Sequence, residues 1–311
     1  MPSTQRPALQ RGRLTRELRP LRRASGMTLQ QVAAALSVSV SKVQRMETGV
    51  SRVSVPGLRA LLEVYGVTDP GRLGELTELA VGAAAHTWRD AFAGAVRDRI
   101  HLDYLEYEAA AADIYGFQPM ALPRLLQTGE YAHAVLLEED PERAGARTQL
   151  LVRHQQEILA REDPPRQFYV LDEAAILRAA DGPGYPGVMR RQLRYLAEVA
   201  VRPEVTIEVI PFAAGAHPGS GGPFTILGYD GDLEDVLYLE HAAGGSLVTG
   251  GISPRVAEYR AVFERLRQMS PGPEPGAGLL DQAADAVPAL LALHARPLIS
   301  PAIRCRGEDE R

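Results

Sequence analysis

Apolar positions in the first eighty residues recur at helical spacing, with short gaps between the runs. Leu14, Leu18 and Leu21 share one face of a helix predicted over 13–24. Ser25-Gly26 stops it. Thr28 can cap a second helix running to about Leu36, with Gln31 placed as a capping box requires. Ser37-Val38 reads as a short turn, and Ser39 caps a third helix that Gly49 ends. Pro56 opens a fourth helix over 57–65, stopped by Gly66, and a fifth short helix follows Asp69-Pro70. Residues 1–12, ahead of this array, read as a flexible arm.

Gly82-Ala83-Ala84-Ala85 is the expected boundary with a second domain, over 85–270. There, residues 88–118 read as a long helical region rich in aromatic side chains. Further helices are predicted at about 128–138, 141–161, 173–180, 186–201 and 254–268. Gln167–Leu171, Val205–Ile210, Phe224–Tyr229 and Val236–Glu240 read as strands. Val205, Ile207 and Val209 alternate with Thr206 and Glu208, the period of a sheet buried on one face. The expected fold is an all-α five-helix DNA-binding domain over 13–80, followed by a larger α+β domain. Residues 271–311 read as a Pro/Gly-rich, mobile tail with a short helix at about 279–294.

Charge sharpens this picture. Residues 1–60 hold eleven basic side chains and two acidic ones, a net of +9; the chain totals −5, which leaves −14 for the remainder. A basic head on an acidic body points to a polyanionic partner for the head. With no apolar run of membrane-spanning length and no signal-peptide pattern, a cytoplasmic protein is expected. The single cysteine, Cys305, allows neither an intrachain disulfide nor a cysteine metal cage.

The segment 27–49 then acquires a chemical meaning. Val32, Ala33, Leu36, Val38, Val43 and Met46 would face inward, leaving Val40, Ser41, Gln44 and Arg45 exposed on the third helix. Such a helix can enter the major groove. Arg45 suits guanine, Gln44 suits adenine, Ser41 suits several bases, and Val40 can cover a thymine methyl. Thr28, Gln30, Ser39, Lys42 and Arg52 are the candidate phosphate contacts, which set position without reading sequence. Arginine-rich helical bundles also serve as protein-interaction modules, and Glu47 can engage an arginine of the first helix, Arg19 or Arg22.

Residues 14–80 resemble the Xre (lambda-repressor/Cro-like) helix-turn-helix family, through Val-Ser-x-Ser-Lys-Val-x-Arg-Met-Glu-x-Gly at 38–49. Leu29 stands where members often carry a phosphate-binding Gln, so Gln30 is the substitute. Residues 85–270 resemble the domain of unknown function DUF5753 of actinobacterial regulators. The matching pieces include Leu122-Pro-Arg-Leu-Leu-Gln-Thr-Gly-Glu-Tyr-Ala132, Leu171-Asp-Glu-Ala-Ala-Ile-Leu177 and Val209-Ile-Pro-Phe212, with Arg124 where the family commonly has Gly. The resemblance implies a developmental or secondary-metabolism regulator, often encoded beside a small partner protein.

In the second domain Tyr104, Glu108, Tyr115 and Tyr131 are candidates for the polar lining of an effector or partner pocket. The preferred reading makes them amphipathic core tyrosines with satisfied hydroxyls. The loop 215–222 is a candidate anion cradle, or simply a long hairpin connection. No histidine pair has HExxH spacing and no serine sits in a Gly-x-Ser-x-Gly elbow. Asp172-Glu173 reads as helix-end charge. The expectation is therefore a non-enzymatic regulator without cofactor or metal, bound to double-stranded DNA as a homodimer and sensing a ligand or small protein. The alternative is an antitoxin-like or adaptor module whose main ligand is a small protein.

Overall fold

The computed structural model describes residues 7–49, 53–85, 88–96, 99–178, 187–231, 233–241, 244–249, 254–273, 278, 280 and 282–285. Five helices form the N-terminal part: α1 (Pro7–Ala24), α2 (Leu29–Ala35), α3 (Val40–Glu47), α4 (Val55–Val64) and α5 (Pro70–Ala84). Each of α2–α5 begins at a residue whose side chain accepts a backbone N–H: Thr28, Ser39, Ser54 and Asp69. These caps satisfy amides that a helix leaves unpaired at its start. Leu18, Val32, Val43, Leu58, Leu61 and Leu76 are fully buried at the centre of this bundle.

Two boundaries differ from expectation. Residues 7–12 are not an arm but the first turns of α1, and Arg11 is buried. The stretch 82–85 does not separate the domains by a loop; α5 runs through it to Ala84. Ala83 is buried there, so small residues at this point serve close packing rather than flexibility.

The second part opens with a 3₁₀ turn at Trp88–Phe92 and α6 (Arg99–Ala110), which leads directly into β1 (Asp113–Gln118). Residues 113–118 are thus a strand, against the helical expectation for 88–118. There follow α7 (Gly129–Glu139), α8 (Ala144–Leu159), β2 (Arg166–Asp172), α9 (Glu173–Leu177), α10 (Val188–Ala200) and β3 (Val205–Ile210). The chain then supplies β4 (Phe224–Gly228), β5 (Val236–His241), β6 (Gly244–Thr249) and α11 (Arg255–Gln268). The strands form one sheet in the order β3-β2-β1-β4-β5-β6. β1, β2 and β3 run parallel, whereas β4 joins β1 antiparallel and continues into β5 and β6.

This sheet is covered on both faces. Tyr169, Leu171, Ile207 and Val209 point into a core shared with α6 and α10, while Val170, Ile210, Phe224 and Leu237 pack against Phe263 and Leu266 of α11. The alternation in β3 therefore does not mark a solvent face. Glu208 is buried, and Arg267 of α11 donates to it at 3.0 Å. A buried carboxylate needs such a partner. The tail has part of the helix expected at about 279–294, but that part is packed into the core rather than mobile. Residues 282–285 are helical, and Leu280, Ala283 and Ala284 are buried in the first of these two cores. The rest of the predicted tail helix, with Cys305, lies outside the described residues.

The two parts of the chain meet through α1 and α6. The Arg11 guanidinium lies between two carboxylates of α6, with Nη1 2.8 Å from Asp103 and Nη2 donating to Glu106 at 2.7 Å. It also sits 5.5 Å from the centre of the Tyr107 ring. Burial opposes the charge on Arg11, but Tyr107, Asp103 and Glu106 outweigh it and raise its pKa. Removing one side of a buried ion pair strands the other. Arg11→Ala should lower the unfolding free energy by ~3–5 kcal/mol, read from the urea midpoint of the full chain. An unchanged midpoint would show that the joint contributes nothing to stability.

Candidate nucleic-acid interface

The helix-turn-helix is built from the turn outward. At the end of α2 the Val38 N–H donates to the Ala33 carbonyl at 2.9 Å, and the Ser37 N–H donates to Ala34 at 3.2 Å. This pair of bonds is a Schellman closure, which requires a left-handed residue at its second-last position. Glycine usually fills that position; here it is Ser37, at φ 55°, whereas Gly66 fills the equivalent position after α4. The closure lets α3 start only two residues later. At the start of α2, Thr28 and Gln31 form the reciprocal capping box that the sequence predicts. Ser39 accepts the Lys42 N–H at 3.2 Å at the start of α3.

The inner side of α3 is Val43, Met46 and Glu47, all buried. Glu47 is the polar anchor. Arg22 of α1 donates to its Oε1 at 2.7 Å, and the Tyr65 hydroxyl at the end of α4 donates to the same oxygen at 2.5 Å. Arg22, one of the two arginines that the sequence offered, is the partner, and a second donor on Arg22 closes onto the Met27 carbonyl at 3.1 Å. Burial, and then the bond to Glu47, raise the Tyr65 pKa, so its hydroxyl stays protonated and donates. One carboxylate thus ties α3 to α1 and α4. Sequence reasoning did not find Tyr65, because its partner is eighteen residues away on another helix.

The outer side of α3 presents Val40, Ser41, Lys42, Gln44 and Arg45, all exposed. Val40, Ser41, Gln44 and Arg45 follow helical spacing and lie together on that side. Gln30 and Thr28 are exposed at the start of α2, although the Thr28 hydroxyl is engaged with Gln31. Arg52 lies outside the described residues. Arg13 and Arg23 of α1 add exposed positive charge.

The four candidates for an effector lining do not form one site. The Tyr104 hydroxyl donates to Glu108, whose other oxygen is 2.7 Å from His154 Nε2. Arg89 Nη2 lies 3.0 Å from the other ring nitrogen, His154 Nδ1. All four members of this network are buried. Tyr115 lies across the sheet, stacked on Phe168 at 5.1 Å and under Arg260. Tyr131 is a buried core residue in the first turn of α7. A cavity between α6, α7 and α8 is lined by none of the four. The loop 215–222 is likewise occupied by its own contacts: the Gly219 N–H donates to His217 Nδ1, and Phe117 leaves no room for a Cβ at Gly219. Asp172 caps α9, and Glu173 accepts the Phe212 N–H.

The arrangement defines a protein with a helix-turn-helix domain ahead of an α+β domain. The family model described as Helix-turn-helix domain matches residues 13–76, and the model described as Domain of unknown function (DUF5753) matches residues 102–282. The chain belongs to the DUF5753 family. No curated protein and no solved structure matches it. Among the described residues no helix is long and apolar enough to cross a membrane, and no group of three or more His, Cys, Asp or Glu side chains is placed to hold a metal ion.

The Ser37 turn yields a direct test. A residue with a Cβ in the left-handed region carries a penalty of ~1–2 kcal/mol, and Ser37 is exposed, so packing does not enter. Ser37→Gly, which escapes the penalty that Ser37 already carries, should raise stability by up to about that amount, whereas Ser37→Val should not raise it. Equal urea midpoints for the two variants would contradict the left-handed turn.

Proposed function

We propose that this protein is a sequence-specific DNA-binding transcription regulator that lays α3 in the major groove. The observation that carries the reading is the exposed outer row of α3, held rigid from below by the buried Glu47 anchor. Arg45 would pair with guanine O6 and N7, Gln44 with adenine, Ser41 with a neighbouring base, and Val40 would cover a thymine methyl. Lys42 and Gln30, with Arg52, would contact phosphates, together with backbone amides near Thr28 and Ser39. The basic head supplies the long-range attraction, and the acidic remainder is turned to other tasks.

A regulator of this design acts as a homodimer on a two-fold operator, with half-sites about one helical turn apart, ~34 Å. The α+β domain receives the signal. Its joint to α1 through Arg11 supports this role, because a change in α6 is passed directly to the helix that buttresses α3.

Arg45→Ala should reduce binding by ~1–3 kcal/mol at one base position and relax specificity there. Lys42→Ala should weaken binding to all sequences and reduce the salt dependence by about one counterion. Titration of the full chain against operator and mismatched duplexes at several salt concentrations measures both. If Arg45→Ala discriminates as the parent does, α3 does not read bases. If the parent ignores duplex DNA even at low ionic strength, the protein-interaction alternative replaces this reading.

A further inference from the structure

The α+β domain contains a cavity of about 210 Å³, walled by α6, α7, α8 and the segment 118–124 after β1. It lies over one end of the sheet, where β1 ends at Gln118, β4 begins beside Pro223 and β5 ends near Glu240. Leu105, Leu122, Leu136, Leu150 and Leu151 make most of its wall apolar. Met120, an exposed side chain, stands among the lining residues and supplies a flexible apolar lip. Protein interiors are packed to crystal density. The side chains around a void of this size therefore forgo contacts that a guest of matching shape restores.

The charges on the wall select the guest. Among the described residues its ionisable side chains are His101, Arg124, Glu139, Arg147 and Glu240. Each arginine already has its own carboxylate there. Arg124 donates to Glu240, and Arg147 Nη2 lies 3.0 Å from Glu139. Burial first, and then the charges of Arg124 and Arg147, hold the His101 pKa well below the ordinary value, so the imidazole is neutral. The wall thus offers no unmatched charge, and an ion entering it would give up water without compensation. An uncharged guest meets no such cost. Gln118 lies on the same face of β1 as the buried Ile114 and brings a neutral amide to the cavity. A hydroxyl, which both donates and accepts, suits that amide. Size is the remaining constraint. Since an apolar cavity of ~150 Å³ takes benzene, this one accepts roughly nine non-hydrogen atoms.

We propose that this cavity is a binding site for a small uncharged alcohol, with the hydrocarbon against the leucine wall and the hydroxyl at the Gln118 amide. The inference rests on the signal-receiving role proposed above for its purpose, but binding is measured without DNA, so the two can fail separately. The same helix connects the two sites. α6 lends His101 and Leu105 to the cavity and Asp103 and Glu106 to the Arg11 joint. A ligand that shifts α6 therefore acts on α1.

The probe is 2-phenylethanol, which matches that size, with phenylacetate and phenethylamine as its anionic and cationic counterparts. Calorimetric titration of the full chain should show saturable binding of one 2-phenylethanol per chain and at least tenfold weaker binding of both ions. Ala121→Leu and Val135→Phe, which fill the cavity from partly exposed walls, should each weaken the alcohol at least tenfold. Gln118→Leu should weaken the alcohol several-fold and leave ethylbenzene unaffected. Urea midpoints equal to the parent's identify the folded variants, and the three probes on the parent decide the matter if no variant folds. No saturable binding of the alcohol, an ion bound as tightly as the alcohol, or unchanged binding in a folded cavity-filling variant overturns the site. Unchanged binding in folded Gln118→Leu overturns the placement of the hydroxyl. DNA titration with and without 2-phenylethanol then reads the coupling separately. An alcohol that binds without altering DNA affinity supports the site and overturns the signal-receiving role.

Discussion

A single buried carboxylate sets the geometry on which the DNA-facing surface depends. Glu47 sits on the inner side of α3 and accepts from Arg22 of α1 and Tyr65 of α4. An ion buried this way is stable only with its hydrogen bonds in place. The three helices are therefore held in one arrangement rather than several that apolar packing alone would tolerate. The outer side chains of α3 inherit that fixed orientation. Of the arginines in the basic head, Arg22 is used for this purpose and Arg11 for the joint to α6, so the head's charge divides between architecture and exposed surface.

The second part of the chain is organised around α6. One set of its side chains, Asp103 and Glu106, grips Arg11. Another, Tyr104 and Glu108, enters the buried network with His154 and Arg89. A third, His101 and Leu105, reaches the cavity. A twelve-residue helix with three such commitments cannot rotate or slide without disturbing all of them. This rigidity gives a physical route between a cavity in the α+β domain and α1, since close-packed interiors transmit displacement rather than absorb it.

Much of the helical head was legible from residue order alone. Thr28 with Gln31, Ser39, and the stops at Gly26, Gly49 and Gly66 mark features whose physics is local, within one turn of helix. The strands at 205–210 and 236–241 were legible for a similar reason, because β-branched and aliphatic runs bounded by turns have few other readings. The strand at 113–118 was not. It follows α6 after two residues, its aromatic content blends with the helix before it, and its central Gly116 makes sense only once the Tyr169 ring lies against it.

The sequence by itself determined the five-helix head, the caps and turns that space α2 from α3, and which side chains α3 turns outward, because these follow from bonds between residues a few positions apart. Tertiary structure alone decided that Arg11 is buried, that Tyr104 and Tyr115 lie on opposite faces of the sheet, and that Arg147 faces a cavity. Each of these depends on partners many residues away, from Asp103 beside Arg11 to Leu105, which lines the same cavity as Arg147. Residue spacing carries no record of which distant side chain will supply the neighbouring charge, ring or empty space.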